Sequence, residues 1–217
     1  CTGCEDFYRE KDLVDGKCPW HGTAPERVSE ANHFFRLSAY EELLGRLLQS
    51  GDLRVVPAAR RNEIAAVVRG GLRDLSLSRS ARRSRGWGVP VPGDAQQTVY
   101  VWFDALANYL TGMGYGSRED GVRRYWCEST TRLHVIGKDI VRFHALYRPA
   151  FLASAGLPLP TDLVVHGFLT VEGQKISKSL ANAVDPVPII EHLGADALRY
   201  YLLRYVPPHE DGDFAAA

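Results

Sequence analysis

Two short runs, Leu133 to Ile136 and Leu163 to Phe168, are almost wholly apolar, and a helical stretch from Ile140 to Ala155 lies between them. A strand that is apolar on both faces must be covered on both. Strands of this kind alternating with helices therefore predict an α/β fold built on a parallel sheet with helices on each side. A β-rich run from Thr98 to Phe103, followed by a helix from Asp104 to Leu110, begins the pattern upstream. Two further helices, Pro186 to Leu193 and Ala195 to Tyr205, follow it.

The residues before about Gly93 have another character. Leu37, Tyr40, Leu43, Leu44, Leu47 and Leu48 recur at helical spacing and predict a helix from Arg36 to Gln49. Ser38 as N-cap and Glu41 three residues later would form a capping box. A second helix is expected from Asn62 to Gly70, ended by the Gly70-Gly71 pair. From Asp74 to Asp94, prolines, glycines and arginines predict an irregular connection with short extended pieces. No internal repeat or low-complexity segment is evident.

Composition removes some functions. The 217 residues hold 26 acidic and 26 basic side chains, so net charge does not drive nucleic-acid binding, and any RNA contact needs a local patch. Arg79, Arg82, Arg83 and Arg85 form such a cluster, with Arg60 and Arg61 nearby in sequence; a charge run of this kind is also simply a solvated face. No apolar run approaches the roughly 20 residues of a membrane-spanning helix. With no signal peptide evident, cytoplasmic location is expected. The chain opens on Cys1 and its one methionine is Met113, so an upstream segment is expected.

Cys1, Cys4, Cys18 and His21 form two ligand pairs thirteen residues apart, the spacing of a structural Cys3His zinc site. Disulfides are the alternative, disfavoured in a reducing compartment. A closed four-ligand site would fold its module and do no chemistry. Cys127 stands apart and is expected to pack.

Lys175, Ser177, Lys178 and Ser179 follow a predicted strand and Gly173. Taken alone, they describe a solvated loop. At the carboxyl end of a parallel strand, where open α/β sheets bind ligands, two lysines three apart can both reach a polyphosphate and stabilise the charge of departing pyrophosphate.

These residues, with two further segments, resemble methionyl-tRNA synthetases, a family of class I aminoacyl-tRNA synthetases. Lys175-Ile-Ser-Lys-Ser179 matches the KMSKS signature with Ile176 in place of methionine. Val101-Trp-Phe-Asp-Ala-Leu-Ala-Asn-Tyr109 and His134-Val-Ile-Gly-Lys-Asp-Ile-Val-Arg-Phe-His144 match the family's strand-to-helix segments, and Asp196 to Arg204 its helix beyond the lysine loop. His134 to Gly137 is not the family's HIGH motif, which lies early in the fold; His134 is expected to be structural.

The resemblance runs from Cys1 to about Asp213 and implies three parts. Residues 1–93 would be a connective insertion with a single zinc knuckle at 1–22, 94–181 the second half of a Rossmann-like nucleotide-binding fold, and 182–217 the first helices toward an anticodon-binding domain. It implies a methionine pocket walled by Trp102, Ala105, Leu106, Tyr109, Ile140 and His144, in which Tyr109 and His144 offer a hydroxyl and a ring N–H near the sulfur. Arg79 would act indirectly, bracing an acidic ligand of the amino group. ATP would meet Gly137, Asp139, Leu169, Lys175, Ser177 and Lys178, the two lysines being catalytic. The implied reaction is activation of methionine by ATP with magnesium, then transfer to tRNA(Met), by a protein of which this segment alone would be inactive. The alternatives are another class I synthetase (for leucine, isoleucine, valine or cysteine), a synthetase paralogue that has lost activation and serves as a binding module, or a bare zinc ribbon that binds RNA.

Overall fold

A computed structural model describes residues 1, 8, 10–19, 21–26, 30–84, 86–118, 121–176 and 184–214, apart from the side chains of Lys11 and Lys175. In chain order, β1 (Phe34–Phe35) leads through a 3-10 turn to α1 (Glu41–Ser50), β2 (Arg54–Val56) and α2 (Ala58–Arg69). Then come β3 (Leu75–Ser76), β4 (Ser78–Ser80), β5 (Pro90–Val91), β6 (Asp94–Val99) and α3 (Val101–Thr111). Next are β7 (Leu133–Gly137), α4 (Arg148–Ser154), β8 (Asp162–His166), β9 (Leu169–Val171) and β10 (Gln174–Lys175). The described part ends with α5 (Pro186–Leu193), α6 (Ala195–Tyr205) and β11 (Gly212–Asp213). No described helix is long and apolar enough to cross a membrane.

The expected parallel sheet is present, with β8 between β2 and β7. Leu163 and Val165 on β8 are fully buried, and Leu44, Leu48, Ile64 and Val68 from α1 and α2 share their core. Strand β2 was not anticipated from sequence. It brings a strand and two helices from before Gly93 into the same core as the strands after it. Coverage on both faces is not observed on β7: His134 and Ile136 are buried, whereas Leu133 and Val135 are 50% and 64% exposed. Strand alternation sends these two pairs to opposite faces, and no described helix covers the second.

Helix α1 starts later than expected, and no capping box forms. Ser38 Oγ donates to Asp74 Oδ1 at 2.6 Å, and Glu41 Oε2 accepts from the Leu72 N–H at 2.7 Å. Both side chains thus tie the helix to a segment more than 30 residues away instead of closing on each other. Helix α2 begins four residues before the expected Asn62, with Pro57 in extended backbone at its N-cap. The expected irregular stretch with short extended pieces is observed: its short strands β4 and β5 flank β6 in an antiparallel arrangement, and β3 pairs with β1. The expected strand over Thr98 to Phe103 stops at Val99, because α3 already begins at Val101. Cys127 is exposed rather than packed.

The helix expected from Ile140 to Ala155 is present: after a 3-10 turn (Lys138–Ile140) the chain stays helical to Ser154, widening into a π-helical turn (Phe143–Tyr147) just before α4. Pro149 has no N–H to close a bond onto the preceding turn, which accords with the widened turn before it. Beyond α4, β9 and β10 form a hairpin turned by Glu172 and Gly173, both at positive φ. Strand β11 pairs in parallel with β9. The chain closes so tightly there that a Cβ on Gly167 would overlap the Glu210 carbonyl. Gly167→Ala in the full-length protein is expected to cost about 1–3 kcal/mol; an unchanged urea midpoint would show that this packing does not form in solution.

Candidate functional site

One site lies where α3 faces the π-helical turn after β7. Apolar residues of α3 hold it against the core, with Leu106 buried. Tyr109 Oη lies 2.8 Å from His144 Nε2, and His144 Nδ1 lies 3.0 Å from the Ile140 carbonyl oxygen. A carbonyl only accepts, so Nδ1 carries the ring proton. Burial, partly offset by the Ile140 bond and reinforced by Arg148, holds the His144 pKa below its usual value, so the ring is neutral. Nε2 is then a lone pair that accepts the Tyr109 O–H.

Of the six residues expected to wall a pocket, Trp102, Ala105, Leu106 and Tyr109 come from α3, while Ile140 and His144 come from the turns that follow β7. Trp102 stacks on Phe143 with centroids 3.9 Å apart. Phe143 was not singled out in the sequence, although it adjoins His144 in the quoted segment. The Tyr109 hydroxyl and the His144 ring N–H are hydrogen-bonded to His144 and Ile140 in this structure.

Behind the pair sits Arg148, 2% exposed, a residue the sequence reading passed over. Its guanidinium carbon lies 4.5 Å from the Tyr109 ring centroid and 4.8 Å from that of Trp126. Nε donates to His134 Nε2 at 3.2 Å, and Nη1 donates to the Leu106 carbonyl. His134 is structural, as expected, and burial beside Arg148 pulls its pKa down to about 3.

Arg79 is also buried. Its Nη1 donates to Ser76 Oγ at 2.9 Å and to the Ser78 carbonyl at 2.8 Å, and its guanidinium lies over the Tyr100 ring. It lines a cavity of about 440 Å³ together with Arg83, Trp87, Tyr100 and Asp104. The basic cluster is partly engaged: Arg83 reaches Glu30 at 3.7 Å and Arg60 reaches Glu63 at 2.8 Å, while Arg85 lies outside the described residues.

Gly137 ends β7, Asp139 stands in the 3-10 turn just after it, and Leu169 opens β9 shortly beyond β8. All three therefore follow the carboxyl ends of parallel strands, where nucleotides bind in open α/β sheets. A Cβ on Gly137 would lie 2.9 Å from Asp139 Oδ1, so this position suits glycine. Lys138 is occupied by Asp211 at 2.7 Å. The backbone of Lys175 is held in β10 opposite Thr170, whereas Ser177 and Lys178 lie outside the described residues.

At the amino end, Cys1 Sγ and Cys18 Sγ each lie 3.8 Å from His21 Nδ1, and the three donors fall within 4.8 Å of one another. Ligands on a tetrahedral zinc, with ordinary bond lengths, stand about 3.6 Å apart for a sulfur–nitrogen pair. The donor set and its spacing therefore fit such an ion. Cys4, the fourth expected ligand, lies outside the described residues.

Comparison with known proteins agrees with this geometry. Residues 1–217 match the family described as tRNA synthetases class I (M). The methionine–tRNA ligase of Caldanaerobacter subterraneus subsp. tengcongensis is 46% identical over 216 residues, covering 99% of this chain and 33% of that protein. The methionine–tRNA ligase of Brucella suis biovar 1 is 49% identical over 215 residues, covering 97% of this chain and 41% of that protein. The crystal structure of Mycobacterium tuberculosis methionyl-tRNA synthetase bound by methionyl-adenylate superposes with a TM-score of 0.84 at 47% identity, over 98% of this chain and 41% of that one. The chain thus spans between a third and about two fifths of the relatives it matches. A match along its whole length, carried by sequence and fold alike, means that this chain belongs to the class I (M) family of tRNA synthetases.

Proposed function

We propose that the full-length protein is a methionine–tRNA ligase of the cytoplasm, joining methionine to tRNA(Met) through methionyl-adenylate. The observation that carries this reading is the Tyr109–His144 pair, closed by a 2.8 Å hydrogen bond and set in an aromatic wall with Trp102 stacked on Phe143. An apolar, polarisable thioether suits the aromatic edges of such a wall. Asp139 at the strand end accepts from the ribose hydroxyls of ATP, with Gly137 and Leu169 beside it. Lys175 and Lys178 meet the phosphates, which ATP brings with magnesium. The protein's work is positioning and charge stabilisation, because the methionine carboxylate itself attacks the α-phosphorus. Arg79 acts indirectly on the amino group by bracing an acidic partner. Cys1, Cys4, Cys18 and His21 hold a zinc ion that crosslinks the knuckle.

Tyr109→Phe leaves His144 Nε2 without its donor and loosens the wall. It is expected to weaken methionine binding about tenfold, read by tryptophan fluorescence, with a smaller effect on turnover. Equal affinity in the two proteins would remove Tyr109 from the pocket. The reaction itself is tested by charging tRNA with each of methionine, leucine, isoleucine, valine and cysteine. Methionine should be esterified to tRNA(Met); a zinc-loaded full-length protein that charges none of them would be a paralogue without activation.

A further inference from the structure

We propose that Asp213 is a positioning residue for the phosphate lysines: from β11 its carboxylate grips the turn and the first strand of the β9–β10 hairpin, and so sets where the lysine loop leaves the fold. This rests on the reading above that Lys175 and Lys178 meet the phosphates of ATP. Direct contacts carry it. Asp213 Oδ1 accepts from Thr170 Oγ1 at 2.6 Å and from the Gly173 N–H at 2.9 Å. The Thr170 hydroxyl, the Gly173 N–H and the Glu172 N–H together hold the carboxyl below its usual pKa, so it is charged at neutral pH. Glu172 and Gly173 are the two turn residues at positive φ, 52° and 73°. The central N–H groups of such a turn have no partner in the ladder, and a residue other than glycine is disfavoured there. A carboxylate from 40 residues further along the chain supplies the missing acceptor.

The same segment reaches the other part of the nucleotide site. Asp211 accepts the Phe168 N–H at 2.8 Å and pairs with Lys138 at 2.7 Å. Lys138 directly precedes Asp139 in the turn after β7. Between the two carboxylates, the Gly212 N–H donates to the Phe168 carbonyl at 2.9 Å, and beyond them the Phe214 N–H donates to the Thr170 carbonyl at 2.7 Å. Gly212 suits this close packing, since a Cβ there would lie 2.7 Å from Val206 Cγ1. Residues 211–214 thus tie the turn that carries Asp139 to the base of the lysine loop. Lys175 stands opposite Thr170 in that hairpin, so the residue that Asp213 grips is the one that sets the register of Lys175. A lysine that stabilises developing charge depends on such placement, and a shift of about 1 Å can cost about a hundredfold in rate. Asp213 is exposed, so water takes over part of its bonding when it is removed, and the expected loss is smaller.

The test uses the full-length protein as wild type, Asp213→Ala, Asp213→Asn, Lys178→Ala and the Asp213→Ala, Lys178→Ala double variant. With saturating methionine and ATP, Asp213→Ala should slow ATP–pyrophosphate exchange about tenfold while methionine affinity stays unchanged. Asp213→Asn keeps the Oδ1 acceptor and should stay within about threefold of wild type. In the Lys178→Ala background, Asp213→Ala should add less than about twofold, because the lysine it positions is already gone. Hydrogen exchange at the amides of residues 169–175 should quicken in Asp213→Ala and not in Asp213→Asn. Unchanged amide exchange in Asp213→Ala, losses that multiply in the double variant, or an equal loss of rate in the Asn and Ala variants overturns the proposal; the last would mean that the charge itself acts. A wild-type rate in Lys178→Ala would instead sink the phosphate reading, and the amide exchange then decides alone whether Asp213 holds the hairpin.

Discussion

Lys178→Ala in the full-length protein should slow methionine-dependent ATP–pyrophosphate exchange by about a hundredfold or more, with methionine affinity nearly unchanged. The size of the effect comes from where charge develops. As pyrophosphate leaves, negative charge builds on its oxygens, and a lysine held near them stabilises the transition state more than bound ATP. A hundredfold loss corresponds to about 2.7 kcal/mol of such differential stabilisation. The fold supports the placement up to Lys175. The β9–β10 hairpin turns on Glu172 and Gly173, pins the backbone of Lys175 opposite Thr170, and leads into the segment that carries Lys178. Exchange is measured with saturating methionine and ATP, and methionine binding separately by fluorescence. An unchanged exchange rate would remove Lys178 from the catalytic set. A loss of methionine affinity alone would mean that the loop shapes the pocket and does not act on phosphate.

Cys18→Ser should abolish zinc retention. Protein purified without chelator should hold about one zinc per chain as wild type and almost none as the variant. Cys18 is 1% exposed, its Sγ lies 3.8 Å from His21 Nδ1, and its backbone anchors the turn through Gly22 N–H and Thr23 O. A small module with so few apolar residues has little core, so the binding free energy of the metal, about 10–16 kcal/mol for structural zinc, is in large part its folding free energy. The variant should therefore also become protease-sensitive in its first 26 residues, and chelation of the wild type should reproduce that sensitivity. Stoichiometric zinc in the variant would mean that another residue completes the site.

Sequence carried much of this, but unevenly. Helices α5 and α6 occupy the expected spans because their signals are local: Asp185 caps α5 by accepting the Val187 N–H at 2.9 Å, and Gly194 separates the two helices. The apolar runs at β7 and β8 were legible because burial in a parallel sheet leaves little choice of residue. Strand β2 was missed because Arg54-Val-Val56 is too short to signal by itself and is defined by pairing with residues more than a hundred positions away. Strand β6 was misplaced because Asp94-Ala-Gln-Gln-Thr-Val99 is mostly polar, whereas the apolar residues that follow belong to α3. The capping box failed because Ser38 and Glu41 found partners across the fold.

The site was half visible. Its aromatic and histidine positions came from the resemblance to the family, and the fold brings Tyr109 and His144 into contact across 35 residues. The direction of their hydrogen bond could not be read from spacing, since it depends on the Ile140 carbonyl that takes the His144 Nδ1 proton. Arg148 itself left one trace, a lone cation within the apolar stretch that runs from Ala145 to Leu152.

The most direct test of the central claim is pyrophosphate exchange by the zinc-loaded full-length protein, offered methionine and, separately, leucine, isoleucine, valine and cysteine. Methionine should support rapid exchange and the others should be slower by at least about a hundredfold. Exchange driven equally well by one of the others, or absent with all of them, would contradict the account.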